Sequence, residues 1–334
     1  MDDEPLIPRD GAGRKLKDLH EGNRLASHLH QTSGRWRYGL VLTLVTCVMW
    51  TVLPIGLKYL LGGMDPVTIT WYRFLMSAAL IWVVLLNKRG MPRPEQFTRG
   101  TMPLLLVAAL GLYANYLLFL FGLDRVTSGA AQILIQSGPV FLLLGSLVVF
   151  KERFSVSQWI GFGVLSVGML LFFNRQLGEL FGSLSSYTIG AILILLAALV
   201  WAGFSLAQKQ LLKTFTSGQI LCLLCIGAVV VYFPATKPGT IGELNGAQLA
   251  ALIFCGLNLV IAYGCFTEAL QHWEASRISA TLSLIPLMTL GLLEVCERWI
   301  PTFGRSENLN LLGWMGAVLV VVGSMQCALA KRED

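Results

Sequence analysis

The sequence predicts an all-α integral membrane protein of ten transmembrane helices, arranged as a 5+5 inverted repeat. Three observations predict this class. Of 334 residues, 55% are hydrophobic and only 13% charged, against about 25% charged in globular domains. The apolar runs are about 20 residues long, enough to cross roughly 30 Å of hydrocarbon as helix. The chain also nearly repeats. A shift of 147 residues sets Tyr116 on Tyr263, Phe119 on Phe266, Leu123 on Leu270 and Pro139 on Pro286.

Lipid offers no partner to exposed backbone groups, so the runs must be helices rather than loops or open strands. Span one (37–60) carries Trp50 and closes on Lys58. Span two (66–87) carries Arg73, and span three (101–123) carries Asn115 and Tyr116. Span four (127–150) runs from a small-residue start through Pro139 to Glu152 and Arg153. Span five (156–173) is the shortest and contains Gly161 and Gly168. Span six (187–211) repeats the first, with Trp201 and Lys209 offset by 151 from Trp50 and Lys58. Span seven covers 217–235, and span eight (247–270) carries Asn258 and Tyr263. Span nine (277–299) passes through Pro286 to Glu297 and Arg298. Span ten (309–330) sets Gly316 and Gly323 on the two glycines of span five at an offset of 155, a small-residue pattern that permits close helix packing. Joint insertions explain the drifting offset, the largest being 301–308.

Basic residues set the orientation. Eighteen Lys and Arg lie in the tails and on one set of joints, and five (Arg125, Arg175, Lys237, Arg298, Arg305) on the other. Both termini are therefore expected in the cytoplasm. The net charge of +6 reads as topology and contact with anionic headgroups, not as a nucleic-acid footprint. Residues 1–35 read as a disordered cytoplasmic tail without a cleavable signal. His20, His28 and His30 lie in it with no fold to gather them into a metal site. Asp2 followed by Leu6-Ile7 matches a sorting pattern short enough for chance to account for it. The seven cysteines all fall within spans, which argues against a disulfide framework. Cys222-x-x-Cys225 lacks the further ligands that zinc requires.

Five spans per copy turn the second unit (186–330) upside down relative to the first (36–174). Such units enclose a cavity near the midplane and can rock around it. In span four, Ser128, Gln132, Gln136 and Pro139 fall within an arc of about 80°. Ala275, Ser279, Ser283 and Pro286 match them in span nine. Two such stripes can line a cavity and free backbone carbonyls. Interhelical hydrogen bonding, at about 0.6 kcal/mol per contact, is the rival account, but two glutamines on one arc exceed what packing asks for and favour the cavity. Trp50, Trp201, Tyr116 and Tyr263 lie deep in matched spans as candidate cavity walls, with bulky packing as the rival reading. Asn115 adds a buried amide beside Tyr116. Glu268 and Glu294 are candidate proton carriers, snorkelling to the interface being the simpler alternative. Lys58 and Lys209 are expected to snorkel.

As a set, DPVTITWYRFLMSAAL in span two, SGAAQILIQSGPVFLLLGSLVVFKER from span four and EASRISATLSLIPLMTLGLLEVCER from span nine resemble the paired EamA-type repeats of the drug/metabolite transporter superfamily. The glycine-spaced last helices belong to the same set. The resemblance covers about residues 37–330. It implies a ten-helix, five-plus-five inverted repeat that exports or exchanges metabolites such as amino acids, nucleosides or amphipathic compounds, without an enzymatic step. It also implies a cavity lined mainly by spans one, three, four, six, eight and nine. Arg73 belongs to the family pattern, in a structural or anion-attracting role. One departure is that Glu297 falls 11 residues after Pro286 but Glu152 falls 13 after Pro139. Glu294 has no acidic counterpart in the first half.

The expected function is secondary transport of a small organic metabolite by alternating access, as efflux or exchange, in a plasma (inner) membrane. No phosphate-cradling glycine loop, His-Glu-x-x-His site or Ser-His-Asp set is present, and His272 alone supplies no catalytic machinery. No cofactor, metal or nucleic acid is expected. The expected partners are the small-molecule substrate and membrane lipids, with a homodimer left open. The alternatives are a non-transporting scaffold or receptor, and a membrane-embedded lipid-modifying enzyme.

Overall fold

Long apolar runs broken by short polar joints leave the backbone little choice but helix, and the joints supply the caps that start each one. Asp65 accepts from the Val67 and Thr68 amides, both at 3.0 Å, with Pro66 in the first turn. Ser155, Thr216 and Asn245 each form a capping box with the glutamine three residues on. A computed structural model describes residues 35–138, 140–141, 144–145, 155–177, 184–273, 275–299 and 309–329, without the side chains of 209, 270, 271, 275, 276, 279, 298 and 299. The expectations for the N-terminal tail, Pro139, the Glu152-Arg153 pair, the 301–308 insertion and the Lys209 side chain lie outside the described residues.

The helices are α1 (Trp36–Leu60), α2 (Pro66–Asn87), α3 (Thr101–Arg125), α4 (Ser128–Ile135), α5 (Val156–Phe172), α6 (Ser186–Leu211), α7 (Ser217–Tyr232), α8 (Gly246–His272), α9 (Ala275–Leu282), α10 (Ile285–Trp299) and α11 (Leu311–Leu329). Among the described residues there is no strand, and eight helical segments are long and apolar enough to cross a membrane. The 17-residue α5 is a shorter apolar helix. Span nine, expected as one run, is two helices with an interruption at Ser283 and Leu284.

Helices pair in a pattern that follows the sequence offsets. The longest contacts run α3 along α6, α8 along α1, and α5 along α11, with α2 beside α7. Exchanging matched spans turns the α3–α6 pair into α8–α1. The same crossing is stitched in both pairs. The Asn115 amide donates to the Ala197 carbonyl at 2.9 Å. The Thr46 hydroxyl donates to the Ala262 carbonyl at 3.3 Å. Asn115 matches Ala262 at offset 147 and Thr46 matches Ala197 at 151, so one carbonyl is met from each side of the same contact.

Between α5 and α11 the backbones touch. A Cβ at Gly168 would lie 2.6 Å from the Val320 nitrogen and 2.9 Å from the Gly316 carbonyl oxygen, and one at Gly161 would lie 2.9 Å from the Gly323 carbonyl oxygen. Helices in lipid gain nothing from hiding apolar surface from water, so close backbone packing carries the association. A reciprocal amide pair, Asn174 with Asn310 at 2.8 and 3.0 Å, locks the end of α5 to the start of α11.

Gly168→Leu should therefore lower unfolding stability by about 1–3 kcal/mol through overpacking. Gly163→Leu, on the same helix with nothing within 4 Å of an added Cβ, should not. Thermal unfolding of the two purified variants compares them directly, and equal losses would contradict the packing described.

Candidate functional site

Proline decides where this site forms. Pro54 lies within α1 and has no N–H, so the Trp50 carbonyl loses its helical donor. The Gln132 amide of α4 takes that place at 3.0 Å. Ser128, one turn earlier on α4, donates to the Pro54 carbonyl at 3.2 Å. Neighbouring carbonyls of α1 are met as well. Asn258 of α8 donates to Met49 at 2.7 Å, and Thr289 of α10 donates to Thr51 at 3.3 Å. Main-chain groups of α1 are thus held by side chains from three other helices.

The second focus is the gap between α9 and α10. Pro286 cannot donate to the Leu282 carbonyl, and the chain tightens instead, with the Leu284 amide bonding Thr281 at 3.1 Å. The helix resumes with Met288 bonding Leu284 at 3.0 Å. Gln136, the residue that closes α4, makes a similarly tight bond to Ile133 at 3.2 Å. Its side-chain amide crosses to the Ser283 carbonyl at 3.4 Å. Gln136 and Ser283 are 147 residues apart, the offset that also matches their following prolines. Two interruptions at equivalent places therefore touch each other. The Ser283 hydroxyl also lies 3.0 Å from that of Ser324, which ties the gap to α11.

Beside this gap stands an aromatic cluster. Trp50 meets Tyr263 edge to face at 5.5 Å and Phe266 at 6.0 Å. Trp201, Tyr116 and Tyr263 pack against one buried apolar core that includes Phe74. Tyr116 packs on Phe74 at 4.7 Å, and the Arg73 guanidinium lies 5.0 Å from its ring centre. Tyr116 and Tyr263 are both partly accessible. Trp50 joins the two foci, its carbonyl held by Gln132 and its ring against Tyr263. A Cβ at Gly138 would lie 3.2 Å from the Trp201 ring, so the chain beyond α4 reaches the cluster too.

The sequence candidates thus separate into groups. Trp50, Tyr116, Trp201 and Tyr263 are partly accessible and gathered. Gln136 and Ser283 meet at the interruption. Ser128 and Gln132 are buried, at 4% and 8% exposure, with their polar atoms on carbonyls of α1. Asn115 is buried on the α3–α6 seam. Ser279 lies on α9 with its side chain outside the described residues. Glu268 lies 3.2 Å from His272 near the end of α8, and Glu294 is exposed on α10. Lys58 does not snorkel. Its ammonium donates to the Leu123, Asp124 and Val126 carbonyls at 2.6, 2.8 and 2.9 Å, capping α3. Sequence reasoning did not place Phe74, Cys255, Phe266 or Thr51 at the site. Thr51 has a buried hydroxyl with no hydrogen-bond partner among the described residues. Only pairing between helices, which no single span encodes, could have found these four.

A polytopic helical bundle with helices interrupted beside a partly accessible aromatic cluster has the build of a membrane transporter. The chain belongs to the EamA-like transporter family, whose model matches it twice, over residues 37–174 and 188–326. Among its relatives is an Escherichia coli K12 protein described as the uncharacterized inner membrane transporter YhbE, 39% identical over 295 residues that cover 88% of this chain and 92% of that one. An uncharacterized transporter of Haemophilus influenzae is 33% identical over 294 residues, covering 88% and 95%. A solved crystal structure matches the fold with a TM-score of 0.61 at 15% identity, over 86% of this chain and 96% of its own. The protein is a multi-pass membrane transporter, which implies a small-molecule substrate and a lipid environment.

The Pro54 arrangement makes a prediction of its own. Gln132→Ala should cost about 1 kcal/mol of stability, in the range of polar contacts between membrane helices. In a Pro54→Ala background, where the residue 54 amide can bond the Trp50 carbonyl, the same substitution should cost almost nothing. A double-mutant cycle on unfolding measures the coupling, and zero coupling would remove this role from Gln132.

Proposed function

We propose that the protein is a secondary transporter that moves a small organic solute by alternating access. It does so as two five-helix repeats, 36–174 and 186–330, of opposite topology and ten spans in all. Both termini face the cytoplasm, the membrane is the plasma (inner) membrane, and the direction is efflux or exchange. The observation that carries this reading is the contact between Gln136 and Ser283 at equivalent interruptions of α4 and α9–α10. Transporters with inverted repeats bind their substrates near the midplane, between discontinuous helices at the repeat interface. The matched pairing of α3–α6 with α8–α1 and the double match to the family model support the repeat. The inner membrane assignment draws on the description of the Escherichia coli relative.

In this reading Trp50, Tyr116, Trp201 and Tyr263 form the walls of the solute chamber. Gln136, Ser279 and Ser283 stand at its interrupted helices. Ser128, Gln132 and Asn115 hold the surrounding backbone. Glu268 and Glu294 are the carboxyls available to carry a coupled proton.

Two experiments test the proposal. In liposomes, wild-type protein should produce solute flux, and Gln136→Leu or Trp201→Ala should lower it about tenfold, a loss of roughly 1.4 kcal/mol in transition-state stabilisation, while the variants remain folded. Absence of flux across a broad metabolite panel with folded protein would count decisively against it. Flux that responds to a proton gradient, and ceases to respond in Glu268→Gln or Glu294→Gln, would assign coupling to that carboxyl. For topology, cysteines placed at Leu184 and Gly239 should react together with an impermeant maleimide, and one at Lys213 only from the opposite side. Labelling of the first two from different sides would sink the inverted repeat.

A further inference from the structure

Among the described residues, Arg73 is a buried cation with no counter-charge. It lies within α2 at 4% exposure, its Nε donates to the Cys255 carbonyl at 3.2 Å, and its guanidinium sits over the Tyr116 ring. Among the described residues no carboxylate comes within ion-pair distance of it. Glu268 is engaged with His272, and Glu294 is exposed on α10. Taking a charge out of water without a partner is expensive, more so inside a bilayer.

The scaffold does not demand this charge. Asp65 and Thr216 cap α2 and α7 at an offset of 151, which sets Arg73 on Leu224. At the equivalent place in the second half, a leucine is buried at 2% exposure in an apolar core. The α2–α8 contact that Arg73 bridges is also held by Ser77, whose hydroxyl donates to the Gly256 carbonyl at 3.1 Å.

With Nε committed and one face against Tyr116, the two Nη groups are the donors left. That end of a guanidinium presents two parallel N–H bonds, the geometry that fits a carboxylate. Tyr116, whose ring the guanidinium covers, is partly accessible, as are Tyr263, Trp50 and Trp201. Their ring faces suit an apolar or aromatic body. No described acid stands in this cluster to receive an ammonium.

We infer that Arg73 is an anion subsite of the solute chamber, and that the solute is a small organic monocarboxylate with an apolar or aromatic body. The inference rests on the transport reading for its location, and binding tests it without flux. Purified full-length protein is titrated with phenylacetate, indole-3-acetate, their neutral amides and zwitterionic phenylalanine, and followed by thermal shift and tryptophan fluorescence. Each acid should bind about tenfold or more tightly than its amide, and phenylacetate more tightly than phenylalanine.

Arg73→Gln keeps a donor for the Cys255 carbonyl but removes the charge. It should hold its ligand-free unfolding midpoint within about 2 °C and lose the preference for acids. Equal binding of acid and amide, stronger binding of phenylalanine, an undiminished preference in the variant, or no shift with any probe would each overturn the assignment. The acid–amide comparison on wild-type protein stands even if the variant misfolds. Arg73-dependent binding of acids without flux would leave the subsite and remove the transport reading. Flux of neutral solutes, unchanged in Arg73→Gln, would do the reverse.

Discussion

A main-chain carbonyl without a donor is costly in hydrocarbon, and proline creates one wherever it interrupts a helix. Pro54 and Pro286 each do so, and the polar side chains near the centre of this protein are arranged around the consequences. Gln132 reaches the Trp50 carbonyl because residue 54 cannot. At the matched place in α6, Ser205 replaces the proline, and its hydroxyl donates to the Trp201 carbonyl within its own helix at 2.8 Å. One half therefore needs a neighbouring helix to complete its backbone, and the other completes it alone. That difference brings α4 against α1 and so places Trp50 between the interrupted helices and the aromatic cluster.

Matched positions solve the same packing problem in different ways, which separates scaffold from specialised chemistry. Gly111 lets α3 approach the Val200 carbonyl, an added Cβ lying 3.2 Å from it. Its counterpart Asn258 fills that space and donates to Met49. Both answers keep α3 on α6 and α8 on α1. Arg73 matched by Leu224 at the equivalent position is a different kind of asymmetry, because a leucine packs that position without the penalty of burying a charge. Where the two halves differ at no benefit to packing, the difference calls for a cause other than packing.

Hydropathy locates helices well and their partners poorly. Spans one and two, read as 37–60 and 66–87, are Trp36–Leu60 and Pro66–Asn87. Apolar length and flanking caps suffice for that. Span nine read as continuous because Ser283 and Leu284 do not interrupt its hydropathy. The break lies ahead of Pro286, where the lost N–H and the ring act on the preceding turn. The stripe of Ser128, Gln132 and Gln136 was legible as polar residues on one face, but its acceptors were not, since they are carbonyls of other helices. Lys58 was misread for the same reason. Its sequence neighbours are apolar and point to the interface, whereas its actual acceptors are at the end of α3. Arg73 was legible as an anomaly, and only the structure shows how little of its guanidinium is engaged.

The interior also differs in how firmly its contacts are made. The α5–α11 crossing joins backbone to backbone through Gly161, Gly168, Gly316 and Gly323, and no rearrangement short of separating the helices relaxes it. The α3–α6 and α8–α1 pairs run in contact along most of their length. At the centre, by contrast, the Gln136 bond from α4 to the α9–α10 gap is 3.4 Å long, close to the limit for such a bond. The helices on both sides of it have already lost regular main-chain bonds. Under the proposed alternating access, movement at this contact would break fewer of the described interactions than separating the paired helices. In that proposal the compliant joint therefore lies at the interruptions.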